Sequence, residues 1–303
     1  MIDAPFEVFE VPDDAPLDLE ALGTKDKFWF QRDSSPWLFK RSRPGTGEHW
    51  AEVVASQLAQ RLGLPSAEYQ LAAWRGATGV VTPSFVAAGH DLVHGNELLA
   101  ERDPTYQREG ARFVRPKQHT IDAVASIVGA QDVQTPFDYV LPKEVTSPLD
   151  VFAGYLLLDA WTGNTDRHHE NWALVYRIAD GTRALSPTFD HASSLGSHEL
   201  EEARVARLRS VDPGYRVEAY VSRSKVRSPF FGSATDTSGL SPLEAFRRWS
   251  TRASASAWLE RLRGLTDDDA WWILAGAPEV FMSGPSKEFA GAILAANRKR
   301  ILS

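Results

Sequence analysis

Two short runs near the start of the chain, Lys27–Arg32 (KFWFQR) and Pro36–Arg41 (PWLFKR), have the aromatic-rich character of strands. Asp33-Ser34-Ser35 between them is turn chemistry, so the runs are expected to pair as a hairpin. After the loop Arg43–Gly47 (RPGTG) the spacing changes. Trp50, Val53, Val54, Leu58 and Leu62 recur at helical intervals, and Gly63 followed by Pro65 ends the pattern, which predicts a helix over Glu48–Leu62. Glu68–Trp74 and Thr78–Val86 read as two more strands across an Arg-Gly turn. The order β-β-α-β-β implies a small antiparallel sheet with one helix packed on it. Residues 1–20, acidic and proline-containing without a period, are expected to form an irregular lead-in.

Beyond Gly89 the pattern is mainly helical. Ile121–Val128 is one helix; Pro148–Trp161 is another, with Ser147 as N-cap, Pro148 at the first helical position and Gly163 as its end. Its nearly continuous apolar run marks a helix buried within its lobe. Asn171–Arg177 and Thr182–Thr188 flank an Ala-Asp-Gly turn as a second hairpin. Helices are then expected over Pro242–Trp249, Ala255–Leu262, Asp267–Leu274 and Ser286–Ile301, the third opened by Thr266-Asp-Asp-Asp. The chain thus divides into a lead-in (1–20), a small sheet-and-helix lobe (21–89) and a larger helical lobe (90–303), an α+β organisation.

Composition narrows the possibilities without changing that picture. In 303 residues, 43% hydrophobic and 24% charged is ordinary for a globular protein. The absence of cysteine excludes disulfides, thiolate metal sites and cysteine nucleophiles, and fits a reducing compartment. A net charge of −7 argues against a general nucleic-acid binder. Arg216, Arg223, Lys225 and Arg227 do lie close together with only Glu218 among them, a run expected to be a solvated face. The N-terminus has no basic region leading into an apolar run, and VFAGYLLLDAW is too short to span a bilayer and contains Asp159. A cytoplasmic protein with no membrane partner is expected.

The chemistry concentrates in Thr162–Asn171 (TGNTDRHHEN) and, after the second hairpin, in Phe189-Asp190-His191. So many polar residues between a buried helix and two apolar strands are tolerated where they surround a cleft. Asp166 and Asn171 are five residues apart, and the hairpin returns the chain to them at Asp190. Kinases use this order: an Asp positions the acceptor hydroxyl, an Asn holds a metal, and a second Asp after a β-hairpin holds Mg²⁺. Any one of these residues alone would serve as a cap or turn residue; the ordered set points to phosphoryl transfer. A carboxylate and an amide suffice for Mg²⁺, which retains waters and phosphate oxygens. Asp166, Asn171 and Lys40 are therefore the candidate catalytic residues, and Asn171 and Asp190 the candidate metal ligands. His168 is expected to be buried and to brace the loop beside the nucleotide. His168, His169 and His191 make a zinc triad only on paper, because adjacent residues point apart and no HExxH or cysteine accompanies them.

The upstream half supplies the complementary parts. Lys40 stands near the end of the second strand, and Glu52 lies on the next helix with Glu48 a turn earlier. A strand lysine contacting nucleotide phosphates and a helix glutamate holding it are what a kinase requires. No GxGxxG or Walker A motif occurs. The phosphate-covering turn is sought in Leu22–Lys27 (LGTKDK), with Gly23 and Lys27 as nucleotide-binding residues, or in RPGTG at 43–47. The first stands where such a turn belongs.

NTDRHHEN followed by FDHASSLG resembles the catalytic and metal-binding motifs of the HipA-like serine/threonine kinases. GTKDK, WLFKR and the Glu52 helix resemble that family's nucleotide-binding half, and SKEFAGAILAANRKRIL its closing helix. The DRHxxN core is also similar to phosphoinositide kinases. The resemblance runs from about residue 20 onward and implies a protein-kinase-like two-lobed fold, ATP and Mg²⁺ as cofactors, a protein substrate and an antitoxin-like partner as a candidate. Two features depart from it. HipA toxins carry a further N-terminal domain for which this chain is expected to have no room. Leu17–Gly23 (LDLEALG) also lacks the serine of the family's autophosphorylated loop. The leading reading is a serine/threonine kinase; a small-molecule or lipid kinase and a nucleotide-binding pseudokinase are the alternatives. The presence of Lys40, Asp166, Asn171 and Asp190 together argues against the last.

Overall fold

A computed structural model describes residues 6–15, 18–19, 27–106, 116–222, 230–251 and 255–303. Its first sheet is built from β1 (Val8–Glu10), β2 (Asp18–Leu19), β3 (Lys27–Arg32), β4 (Ser35–Arg41), β5 (Gln70–Trp74) and β6 (Ala77–Pro83), in the order β1-β5-β6-β4-β3-β2. The β3–β4 hairpin forms as expected. Asp33 and Ser34 both take positive φ (50° and 64°), the backbone that a two-residue hairpin turn matched to strand twist requires.

Alternation along the strands sorts their side chains to two faces. Phe28, Phe30, Phe39, Ala72 and Val81 make a small aromatic core on one face. Leu71 and Val80 on the other face join the main core with Val54 and Leu58 of α1 (Glu48–Leu62). The helix occupies the expected span, and Gly63 closes it in the left-handed conformation (φ 78°).

The lead-in is not irregular throughout. β1 pairs in parallel with β5, which makes this sheet mixed rather than antiparallel, and Val11 just after it is buried. Three residues carry too little periodic signal to announce a strand. The ladder and the aromatic core beneath it, both tertiary, decide the matter.

Past Pro83 the chain enters a second sheet of order β7-β9-β10-β8, formed by β7 (His90–His94), β8 (Val133–Gln134), β9 (Ala173–Arg177) and β10 (Arg183–Leu185). The β9–β10 hairpin is shorter than expected, and β7 adds an antiparallel edge strand to β9 that the pattern did not announce. The helices are α2 (Gly95–Arg102), α3 (Ile121–Val128), α4 (Pro148–Thr162), α5 (Glu201–Arg209), α6 (Val217–Ser222), α7 (Pro242–Trp249), α8 (Ser256–Gly264), α9 (Asp267–Ala275) and α10 (Gly284–Leu302). α4 is the axis of this half. Ser147 and Asp150 form a reciprocal capping box at its start, and every residue from Asp150 to Thr162 is buried. Among the described residues no helix is long and apolar enough to cross a membrane.

Candidate active site

Lys40 is directed by the pleat. Phe39 points into the aromatic core, so Lys40 points the opposite way, in register with Val80 on the α1 side. Glu52, 2% exposed, meets it from α1. Lys40 Nζ lies 3.6 Å from Glu52 Oε1 and 3.7 Å from Asp190 Oδ1, so one ammonium is shared between two carboxylates from remote parts of the chain. Burial opposes its charge, but Asp190, Tyr69 and Glu52 outweigh that and hold Lys40 well above the usual lysine range. Burial pushes Glu52 upward, while Lys40 and the His191 N–H pull it back toward the carboxylate.

Asp190 takes a left-handed backbone (φ 59°), uncommon for a residue with a side chain. The surrounding contacts hold it there. The Asp190 N–H donates to the Tyr69 hydroxyl at 3.2 Å, and the His191 N–H donates to Glu52 Oε2 at 2.6 Å. Glu52 thus serves the lysine with one oxygen and the Asp190 segment with the other. Farther along, Leu195 N–H donates to Thr162 O at 2.8 Å, tying the segment to the end of α4.

Asp166 and Asn171 sit on the loop between α4 and β9. The Asn171 amide nitrogen donates to Asp166 O at 2.6 Å, and Asp166 N–H donates to Asn164 Oδ1 at 3.0 Å. Beneath them lies a buried ion pair. Arg167 gives Nε and Nη2 to the two oxygens of Asp159, each at 2.8 Å, and Nη1 to Asn171 O at 2.9 Å. Asn164 Nδ2 completes the group on Asp159 Oδ1 at 2.9 Å.

This corrects the expectation for His168, whose side chain is 31% exposed and whose Nδ1 accepts the Glu170 N–H at 3.1 Å. The brace is Arg167. A planar fork with five donors can close several loop carbonyls and a carboxylate at once; an imidazole cannot. The signal was in the sequence: a charged Asp159 inside an apolar helix demands a partner, and Arg167 is the adjacent cation. Tyr69 and Ser193 carry no comparable signal in the sequence. Ser193 donates to Asp166 Oδ2 at 3.4 Å.

His191 is wholly buried, and its pKa falls to about 3 through burial and the nearby Arg167 charge. It stands apart from the histidine group of the zinc alternative. The ligand atoms of His168, His169 and Glu170 do lie within 4.8 Å of one another. But His168 Nδ1 already accepts the Glu170 N–H, so in the neutral ring the proton sits on Nε2 and blocks that atom as a ligand. His169 Nδ1 is engaged with the Tyr106 hydroxyl at 2.7 Å.

Lys27 lies directly across from Lys40 in the β3–β4 ladder, on the same face. Gly23, and with it residues 22–26 of LGTKDK, lie outside the described residues. RPGTG forms a connector: Gly47 N–H donates to Ser197 O at 2.8 Å, and Arg43 pairs with Glu48 at 3.4 Å.

The fold that carries this site has counterparts among solved structures. The chain superposes on the Helicobacter pylori proinflammatory kinase CtkA with a TM-score of 0.71 at 17% identity, covering 98% of this chain and 96% of that one. The fold is protein-kinase-like. HipA of the Shewanella oneidensis toxin–antitoxin system HipA–HipB, solved with its operator DNA, gives a TM-score of 0.56 at 11% identity over 96% of this chain and 68% of that one. No family model matches the sequence, and no curated protein matches it. At such identities the likeness establishes the two-lobed α+β fold and leaves activity to the site itself.

Proposed function

We propose that the chain is an ATP- and Mg²⁺-dependent phosphotransferase, a serine/threonine protein kinase of HipA-like type. The observation that carries this reading is the convergence of Lys40, Glu52 and Asp190 from a strand, a helix and a post-hairpin segment. Lys40 contacts the nucleotide phosphates, with Lys27 beside it on the neighbouring strand, and Glu52 holds Lys40 in place.

The donor set fits Mg²⁺. With Nδ2 tied to Asp166 O, Asn171 keeps its amide oxygen as the acceptor for a cation, and the Asp190 carboxylate is 38% exposed. Bound there, the ion would neutralise phosphate charge. Asp166 orients the acceptor hydroxyl and takes its proton as the new P–O bond forms and ADP leaves. Arg167 keeps that carboxylate's loop rigid without touching the reactants.

Asp166→Asn tests the assignment. Phosphoryl transfer should fall by roughly 10²–10⁴-fold, the range of general-base contributions, while stabilisation by MgATP in a thermal shift persists. Unchanged transfer would remove Asp166 from the chemistry. A protein not stabilised by MgATP at all would end the phosphotransferase reading.

A further inference from the structure

Between the Asp166 loop and helices α5, α6 and α10 lies a cavity of about 220 Å³, with Thr165, Ser193, His198, Tyr220, Val221 and Ile293 in its wall. It meets the active site at two points. Thr165 precedes Asp166 in the chain, and the Ser193 hydroxyl bridges Asp166 Oδ2 at 3.4 Å and His198 Nε2 at 3.1 Å. If the Ser193 proton goes to Asp166, the histidine must be the donor to Ser193. The wall nearest the base is therefore polar.

Val221 and Ile293 give another part of the wall an apolar patch, beside the polar Thr162, Ser197 and Asn297. Val221 and Ile293 belong to a buried cluster with Val217 and Phe289. Arg207 also lines the cavity, but its guanidinium pairs with Glu199 at 2.9 Å and stacks on Tyr220 at 4.9 Å. The described wall therefore asks for no charged occupant.

Its size favours one class of occupant. Pockets that enclose a whole small molecule start at about 300 Å³. At about 220 Å³ this one suits a single side chain, with the rest of the acceptor outside. A neighbour of the acceptor residue meets this requirement, since an extended chain advances only about 3.3 Å per residue.

Building on the phosphotransferase reading, we propose that this cavity is a specificity subsite that takes an uncharged aliphatic side chain within two positions of the phosphorylated residue of a polypeptide. Ser193 and His198 join the subsite to Asp166, so filling it also settles the carboxylate against the acceptor hydroxyl.

The test is a positional-scanning peptide library with a fixed serine or threonine, incubated with MgATP. A preference of about tenfold for Val, Ile or Leu over Asp or Lys is expected at one position within two residues of the acceptor, the scale of a methylene-sized fit in an apolar pocket. His198→Trp places an indole at the cavity mouth and should raise KM for the preferred peptide and flatten the preference. MgATP thermal shifts on both proteins report the nucleotide half. A flat profile from the parent overturns the subsite, as does a profile unaltered by His198→Trp, or transfer confined to small hydroxyl compounds such as an aminoglycoside. A parent that MgATP does not stabilise fails at the earlier reading, a different result from a parent that binds nucleotide and shows no preference.

Discussion

The two halves of the candidate active site are held together in opposite ways. The Asp166 loop is closed over eight residues by short hydrogen bonds around a buried, bidentate Arg167–Asp159 pair, every contact between 2.6 and 3.0 Å. The lysine cluster gathers three remote segments, and its ion pairs are longer, 3.6 and 3.7 Å, with Asp190 open to solvent. The loop is preorganised: its geometry exists before any reactant arrives. The cluster is electrostatically shared, so Lys40 can leave the half-exposed Asp190 without stranding a buried charge. On the proposed reading, positioning a base and receiving a charged nucleotide would demand these different constructions.

Removing a partner from each half should expose the contrast. Arg167→Met leaves Asp159 buried and unpaired, which should destabilise the protein by about 3–5 kcal/mol in urea unfolding. The double change Asp159→Leu with Arg167→Met should recover much of that, because the stranded charge disappears. A loss below 1 kcal/mol for the single change, in the range of a surface pair, would break the comparison.

Lys40→Met should cost stability far less, about 1–2 kcal/mol, because Asp190 remains hydrated and Glu52 can take up a proton. Its main effect should be loss of the MgATP thermal shift. Equal destabilisation by the two substitutions would show that the cluster is as rigid a unit as the loop.

Tyr69→Phe removes only the acceptor of the Asp190 N–H. The expected cost is about 1 kcal/mol, read as a severalfold higher Mg²⁺ requirement for MgATP binding with the melting temperature nearly kept. An unchanged Mg²⁺ titration would mean that the backbone of Asp190 needs no help from Tyr69.

The smallest effect concerns the helix that carries Glu52. His49 Nε2 donates to Phe281 O, and its Nδ1 is hydrogen-bonded to the Ser42 hydroxyl, both at 2.9 Å. Burial holds its pKa below the ordinary value. The unfolded chain therefore binds the proton first, and stability present above about pH 6.5 is lost as pH falls below it. His49→Gln should flatten that acid limb of the unfolding profile, and an unaltered limb would assign it to other groups.

Much of this was legible before any coordinates. The first hairpin, α1 with Glu52, the Ser147 cap of α4 and the order Asp166, Asn171, Asp190 follow from local periodicity, caps and spacing, which act over a few residues and leave their mark in adjacent letters. Burial of Asp159 with Arg167 could also have been inferred, since an ion inside an apolar helix needs its partner nearby.

Other features belong to the tertiary structure alone. β1 and β7 are strands because a ladder was available at β5 and β9, not because VFE or HDLVH prefers to extend. Tyr69 became the support of Asp190, and Ser193 that of Asp166, through contacts spanning 121 and 27 residues. The partly exposed His168 and the buried Arg167 are neighbours with equal claim in the sequence. Sequence determined which polar and charged residues were available to the candidate site and in what order. Packing decided which of them faced one another, because the free energy of bringing distant segments together resides in the surface they bury and has no counterpart in the letters beside them.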